Sequence, residues 1–315
     1  MATRAVVIEE FGGPDVLNLV EVDKPRPGPG EILVRVIASG TNPVEAKIRQ
    51  GAAMPDLPLP AVLGGDVSGV VEAVGAGVSD FEPGDEVFYT PEMTEAGSYA
   101  DYNVVSAAIV ARKPRALSHV EAASVPLAGG TAWEAIVRRL QVRPGETVLV
   151  HAGAGGVGSF AVQFAVAAGA DVLATASSGN HDLVRELGAL PIDYKSDDPV
   201  QVALDHTGGT GVDAVLDLVG GENLVKSATA TRPFGRLATV LPPAGELTPL
   251  YQRNQVLHGI MLTRERRRLE ELSPLFERGR VRPLVQQVLP LEQVRQAHEK
   301  LDSGHGAGKT VLDLT

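Results

Sequence analysis

TVLVHAGAGGVGSFAVQFA, residues 147–165, carries the strongest structural signal in the chain. An apolar run from Thr147 reaches His151, glycines follow at 153, 155, 156 and 158, and a helical stretch continues beyond them. The order is strand, glycine turn, helix. Gly153, Gly155 and Gly158 are the fixed glycines of G-x-G-x-x-G, where backbone can approach a pyrophosphate and the free N–H groups of a helix start can hold it. Gly153, Ala154, Gly155, Gly156, Val157 and Gly158 are therefore assigned to dinucleotide binding. His151 stands before the turn without an obvious partner and reads as a polar strand terminus.

Further short apolar strands surround this unit at 171–175, 214–218 and 237–240, with helical stretches at 157–168 and 181–187 between them. That alternation predicts an α/β fold with a doubly wound parallel sheet. Up to about residue 115 the texture differs: β-rich runs at 5–8, 31–37, 67–74, 86–88 and 99–105 are broken by Gly and Pro, as in a compact all-β unit. KPRPGPG, residues 24–30, is a connector between two strands, because its prolines cannot donate to a sheet. Ser118 precedes Glu121 by three residues, a capping box that opens a helix where the α/β half begins. After Gly259 a charged helix over 265–279, a second helix around 291–301 and a final strand over 310–314 complete the chain.

Composition narrows the function. In 315 residues, 28 basic against 39 acidic side chains leave a formal charge of −11, which repels nucleic acid and anionic membrane surfaces. No cysteine occurs, so disulfides, thiolate zinc sites and cysteine nucleophiles are excluded. The seven histidines are scattered and no H-E-x-x-H motif is present. No run of 18 apolar residues suits a membrane span, and Glu9 and Glu10 stand where a secretory peptide would be apolar, so a cytoplasmic, soluble protein is expected. GHGAGKT at 304–310 suggests a P-loop, but the spacing would require glycine where Ser303 stands, and too few residues follow for the helix.

ASGTNPVEAKIRQG (38–51), LGGDVSGVVEAVGAGVSDFEPGDEV (63–87), GSYADY (97–102), TAW (131–133) and the glycine turn, in this order, resemble the medium-chain dehydrogenase/reductase superfamily and its zinc-independent quinone oxidoreductase branch. The fingerprint around the turn departs only at Val166. The resemblance implies a GroES-like β domain from residues 1–117 and 264–315 and a Rossmann domain from 118–263, with the active site in the cleft. Zinc-dependent members carry a catalytic Cys and Gly-His-Glu; the matching places here read Gly40-Thr41-Asn42 and Gly64-Gly65-Asp66, so no metal ligand is assigned. Asn42 is the catalytic candidate by family position, as a donor to developing oxygen charge, with a turn residue before Pro43 as the other reading. Glu45 replaces the family's aspartate and is left out of the site. Thr131 is a candidate contact of the nicotinamide carboxamide, and Leu241 and Pro242, after the strand 237–240, would pass backbone by the ring. Met54, Met93 and Tyr251 are candidate pocket walls or ordinary packing. No general acid stands out, leaving the last proton to solvent.

Cofactor choice is read from ATASSGNHD, residues 174–182. An NAD enzyme places Asp or Glu at the end of the second strand for the ribose hydroxyls, whereas this segment offers Ser177 and Ser178 and predicts NADPH. His181, Arg185, Tyr194 and Lys309 are the candidate neighbours of the adenosine phosphate and ribose. The expectation is an NADPH-dependent, zinc-free oxidoreductase that reduces a small-molecule electrophile, a quinone or α,β-unsaturated carbonyl. An NADPH-binding accessory protein with little turnover is the alternative. A homodimer is expected through sheet edges, with 259–263 at the seam.

Overall fold

The computed structural model describes residues 2–304 and 306–315 and divides into two units, 1–128 with 263–279 and 283–315, and 129–262 with 280–282. The fold is that of the GroES-like and Rossmann pair expected from the sequence.

The second unit holds a six-stranded sheet in the order Leu190–Asp193, Asp171–Ala176, Thr147–Val150, Val212–Asp217, Thr231–Thr239, Val256–Gly259. Every pairing is parallel. Numbered along the chain this order is 3-2-1-4-5-6, in which the direction of winding reverses beside Thr147–Val150, the point where such sheets bind ligands. Two edge strands, Leu190–Asp193 and Val256–Gly259, extend the sheet beyond the four read from the sequence. Leu149, Leu173, Val215 and Leu237 on its strands and Leu224 on a covering helix share one core cluster. Both faces are buried, which explains why the strands read as continuous apolar runs.

In the first unit a seven-stranded sheet runs Val285–Pro290, Lys309–Asp313, Glu31–Gly40, Asp66–Val74, Glu86–Tyr89, Ala111–Arg112, with Tyr102–Ser106 also paired to Glu31–Gly40. A smaller sheet joins Asn18–Asp23, Ala2–Ile8 and Ala61–Val62. The proline-rich connector separates two strands as expected. The strand expected over 99–105 starts at Tyr102, because Ala100 bridges Ala5 and the Tyr99 carbonyl accepts from Val6 N–H at 2.7 Å. The capping box at Ser118 is formed, yet its helix covers only His119–Ala122 before Pro126 restarts helix at Pro126–Trp133. A residue preceding proline is pushed out of helical geometry, which accounts for the break. Residues 118–128 belong to the first unit, where Ala123 packs with Ala38 and Val311. Lys309–Asp313 is a strand; His305, in the segment whose spacing departs from a P-loop, lies outside the described residues.

Candidate active site

In the second unit, the helix Gly156–Ala167 starts directly after the glycine turn, with Gly155 as its N-cap. Its first-turn N–H groups have no acceptor within the helix and carry the positive end of its dipole. The glycines are demanded by contact. A Cβ on Gly153 would lie 2.6 Å from the Ala174 Cβ, and one on Gly158 would lie 2.1 Å from the Ala152 carbonyl oxygen. Ala152 itself sits at φ 53°, held by its N–H to Thr175 Oγ1 at 2.9 Å. His151 is buried, with Nε2 2.9 Å from Ser227 Oγ, whose hydrogen is donated to the Asn223 carbonyl. Burial lowers its pKa to about 4, so the ring is neutral and braces the strand end.

Around this turn, Ser177 is half-buried and Ser178 exposed in a short turn after Asp171–Ala176, followed by His181 at the start of the helix His181–Glu186. His181 Nε2 is buried and has no hydrogen-bond partner among the described residues. Arg185 is paired with Asp182, while Tyr194 is half exposed after Leu190–Asp193. Leu241 and Pro242 follow Thr231–Thr239, and the Leu241 N–H donates to Thr239 Oγ1 at 3.2 Å. Asp217, buried at the end of its own strand, accepts from Gly220 N–H at 3.0 Å and from Asn223 Nδ2 at 2.7 Å, shaping the adjacent loop. Its acidic letter at a strand end is the signal that sequence reading passed over. Thr131 is buried just ahead of a π-helical stretch, Glu134–Arg139. Tyr251 is 85% exposed.

The first unit holds a buried polar cluster. Asn42 caps the helix Pro43–Arg49, and Glu45, three residues on, closes the capping box by accepting the Asn42 backbone N–H. Glu45 and Arg49 stand four apart on the inward face. Lys309 Nζ donates to the Thr41 carbonyl at 2.7 Å, to Asn42 Oδ1, and to Asp66 Oδ2 at 3.3 Å. Asn42 Nδ2 in turn donates to Glu45 Oε1 at 3.0 Å and Asp66 Oδ2 at 3.3 Å. Both amide hydrogens and the amide oxygen of Asn42 are thus engaged within the cluster, which leaves no spare amide donor for a substrate oxygen. Lys309, expected near the adenosine phosphate, is corrected too: its three N–H donors are all taken and its side chain is buried.

Glu45, left out of the site on the sequence, joins the cluster, as do Tyr99 and His298, which the sequence did not single out. Tyr99 Oη donates to Glu45 Oε2 at 3.3 Å, and His298 Nε2 lies 3.1 Å from Tyr99 Oη. Arg49 Nη1 stands 3.2 Å from His298 Nδ1, and Arg49 Nη2 is paired with Asp302 at 2.7 Å. Arginine can only donate, so His298 Nδ1 accepts and its hydrogen sits on Nε2, directed at Tyr99. Burial and the nearby Arg49 charge lower the His298 pKa to about 4, keeping it neutral. Burial raises Glu45 to about 7 against the opposing pull of Lys309 and Asn42, and burial raises Asp66 as well. Beside Glu45 opens a cavity of about 290 Å³, lined also by Ile48, Leu57, Leu63 and Met93, with Arg264, Glu92 and Glu95 contributing charges. Met54 is not part of this lining.

A family model of the alcohol dehydrogenase GroES-like domain matches residues 28–115, and one of zinc-binding dehydrogenases matches 187–312. The chain is 32% identical to the quinone oxidoreductase of Homo sapiens over 323 residues, 99% of this chain and 98% of that protein. It is 35% identical over 322 residues to the chloroplastic NADPH-dependent alkenal/one oxidoreductase of Arabidopsis thaliana, 98% of this chain and 79% of that protein. A solved structure described as an NAD-dependent alcohol dehydrogenase superposes with a TM-score of 0.94 at 36% identity, covering 99% of this chain and all of that one. The chain belongs to the medium-chain dehydrogenase/reductase superfamily, in its quinone oxidoreductase-like branch. As a member it is an oxidoreductase served by a nicotinamide cofactor. The zinc of the family name does not fit the residues present. No cysteine exists, no three His, Asp or Glu groups gather among the described residues, and the places of the metal ligands hold Asn42, Gly65 and an Asp66 already neutralised by the Lys309 ammonium. No helix among the described residues is long and apolar enough to cross a membrane.

Proposed function

We propose that the protein is an NADPH-dependent reductase of quinones or α,β-unsaturated carbonyls that works without zinc. The observation that carries this reading is the Lys309 ammonium lodged among Asn42, Asp66 and the Thr41 carbonyl, because a fixed cation at that donor set repels a divalent one. A simple alcohol or ketone needs a Lewis acid to exchange a hydride readily, whereas a conjugated carbonyl or quinone takes up the charge itself. The names of the human and Arabidopsis relatives point to the same substrate classes.

The bound dinucleotide supplies the hydride. The turn from Gly153 to Gly158 would hold its pyrophosphate, with Thr131, Leu241 and Pro242 toward the nicotinamide. Ser177, Ser178 and His181 would face the 2′-phosphate, and Tyr194 the adenosine ribose. No carboxylate interrupts 176–181, so a phosphate meets no repulsion there. Asn42 serves as a positioning residue for Lys309 and Glu45. We also propose a homodimer through the outer strand Val256–Gly259, which pairs on one side only within the chain and runs into Met261, 81% exposed.

The test is oxidation of NADPH and NADH against a panel of quinones and enones, with and without chelator. Turnover insensitive to chelator, with NADPH favoured by about tenfold or more, is the expected result. Cofactor binding without any turnover would indicate the accessory protein instead, and a monomeric mass at micromolar concentration would remove the dimer.

A further inference from the structure

We propose that His151 is a positioning residue for the dinucleotide, the middle link of a directed hydrogen-bond chain that sets the glycine turn and the loop at Leu241 together. This role rests on the assignment of those two segments to the cofactor in the reading above. Every member of the chain lies in the second unit.

The chain starts at Ala152, which opens the turn. Its φ of 53° is left-handed and unfavourable for a residue with a Cβ, so neighbours must hold it there. The Ala152 N–H donates to Thr175 Oγ1 at 2.9 Å, and the Ala152 carbonyl accepts Gly155 N–H at 2.9 Å. Ala152 thereby places the N-cap of the helix Gly156–Ala167 and, with it, the first-turn N–H groups that would face a pyrophosphate.

Counting hydrogens gives each link its direction. A hydroxyl has one hydrogen to donate. Ser227 gives its own to the Asn223 carbonyl at 2.7 Å, so Ser227 Oγ accepts from His151 Nε2 at 2.9 Å. The ring is neutral, because burial outweighs the opposing pull of the Asp217 charge, and its single hydrogen is therefore on Nε2. Nδ1 is left as an acceptor, 3.4 Å from Thr175 Oγ1, whose hydrogen is not needed for Ala152.

Beyond Ser227 the chain continues to the other loop. Asn223 Nδ2 donates to Asp217 Oδ1 at 2.7 Å, Thr239 Oγ1 donates to Asp217 Oδ2 at 3.2 Å, and the Leu241 N–H donates to Thr239 Oγ1 at 3.2 Å. Thr175, His151, Ser227, Asp217 and Thr239 are all buried, so a lost partner is not replaced by bulk water and each link depends on the next. Among the described residues no hydrogen bond joins Thr175 to Ser227 or Thr239 directly, and the imidazole is what connects the two halves.

The experiment measures NADPH and NADH affinity by fluorescence titration. His151→Leu should weaken binding of whichever nucleotide the wild type takes by about tenfold, and His151→Gln, which keeps a donor and an acceptor, should recover part of that loss. Thr175→Val and Thr239→Val should each weaken binding, the double variant should lose no more than the worse single variant, and neither change should add a loss in His151→Leu. Nitrogen-15 spectra of the wild type should show a hydrogen on Nε2 of His151 and none on Nδ1, the signals being those that His151→Gln lacks; this measurement and the threonine pair decide the matter if His151→Leu fails to fold. Losses that multiply in the double variant, affinity in His151→Leu within about twofold of the wild type, or a hydrogen on Nδ1 overturns the positioning role alone. A wild type that binds neither nucleotide overturns the cofactor assignment, and this role with it.

Discussion

The glycine turn of the second unit and the polar cluster of the first solve opposite problems. At the turn, the proposed function belongs to the backbone: N–H groups at a helix start would meet a large anion, and side chains are excluded because a single Cβ on Gly158 would strike a carbonyl oxygen. In the cluster, function belongs to side chains whose charges must nearly cancel in a medium that tolerates little imbalance. The first kind of site is broken by added bulk and is nearly indifferent to pH. The second is broken by removing one partner and follows pH closely.

The sharpest way to break the turn is Gly158→Ala. Overpacking against the Ala152 carbonyl should abolish measurable nucleotide binding in a fluorescence titration and cost about 1–3 kcal/mol of stability. Retained affinity would show that the backbone has room to give. In the cluster, Asn42→Ala frees Lys309 and Glu45 from their shared amide and should lower kcat on enones by at least about tenfold, with nucleotide Kd unchanged because Asn42 lies in the other unit. A loss confined to nucleotide affinity would contradict that division.

A milder change sharpens the contrast at the turn's far end. Ser178→Asp places a carboxylate in the exposed turn after Asp171–Ala176, and the NADPH to NADH ratio of kcat/KM should fall by about tenfold. The smallest effect is thermal. Glu45 has a pKa raised in the folded protein, so its contribution is fully present below its unfolded value and is lost as pH rises through about 7. The Tm of Glu45→Gln relative to wild type should therefore climb by a few degrees between pH 5 and pH 8, whatever the offset at pH 5. His151 and His298, buried neutral with pKa values near 4, act in the other direction. Their contribution is present above the ordinary histidine range and is lost as pH falls toward 4. A pH-independent Tm difference would mean that Glu45 is not the proton-holding member.

How much the sequence revealed follows the same line. The turn is local, with strand, glycines and helix in one run of residues, so Gly153 to Gly158 could be read directly, and the doubly wound parallel sheet followed from the alternation around it. Edge strands such as Val256–Gly259 were not readable, because they are short and half-exposed and lack the apolar run of a buried strand. The capping pair Asn42 and Glu45 is visible as a spacing of three, but its partners are not. His298 meets Tyr99 across 199 positions and Lys309 meets Asn42 across 267. Nothing in the local pattern around Lys309 distinguishes an ammonium buried against Asp66 from one waiting for a phosphate. The family resemblance located Asn42 and could not say that its amide was already engaged.

The contact between Gly65 and Glu45 also constrains how this chain can change. A histidine at 65, the residue zinc-dependent relatives carry there, would need its Cβ 2.0 Å from Glu45 Oε1. The two side chains cannot both keep their present places, so a side chain at 65 obliges Glu45 Oε1 to leave its contact with Asn42 Nδ2. A shorter residue at 45 would remove that conflict.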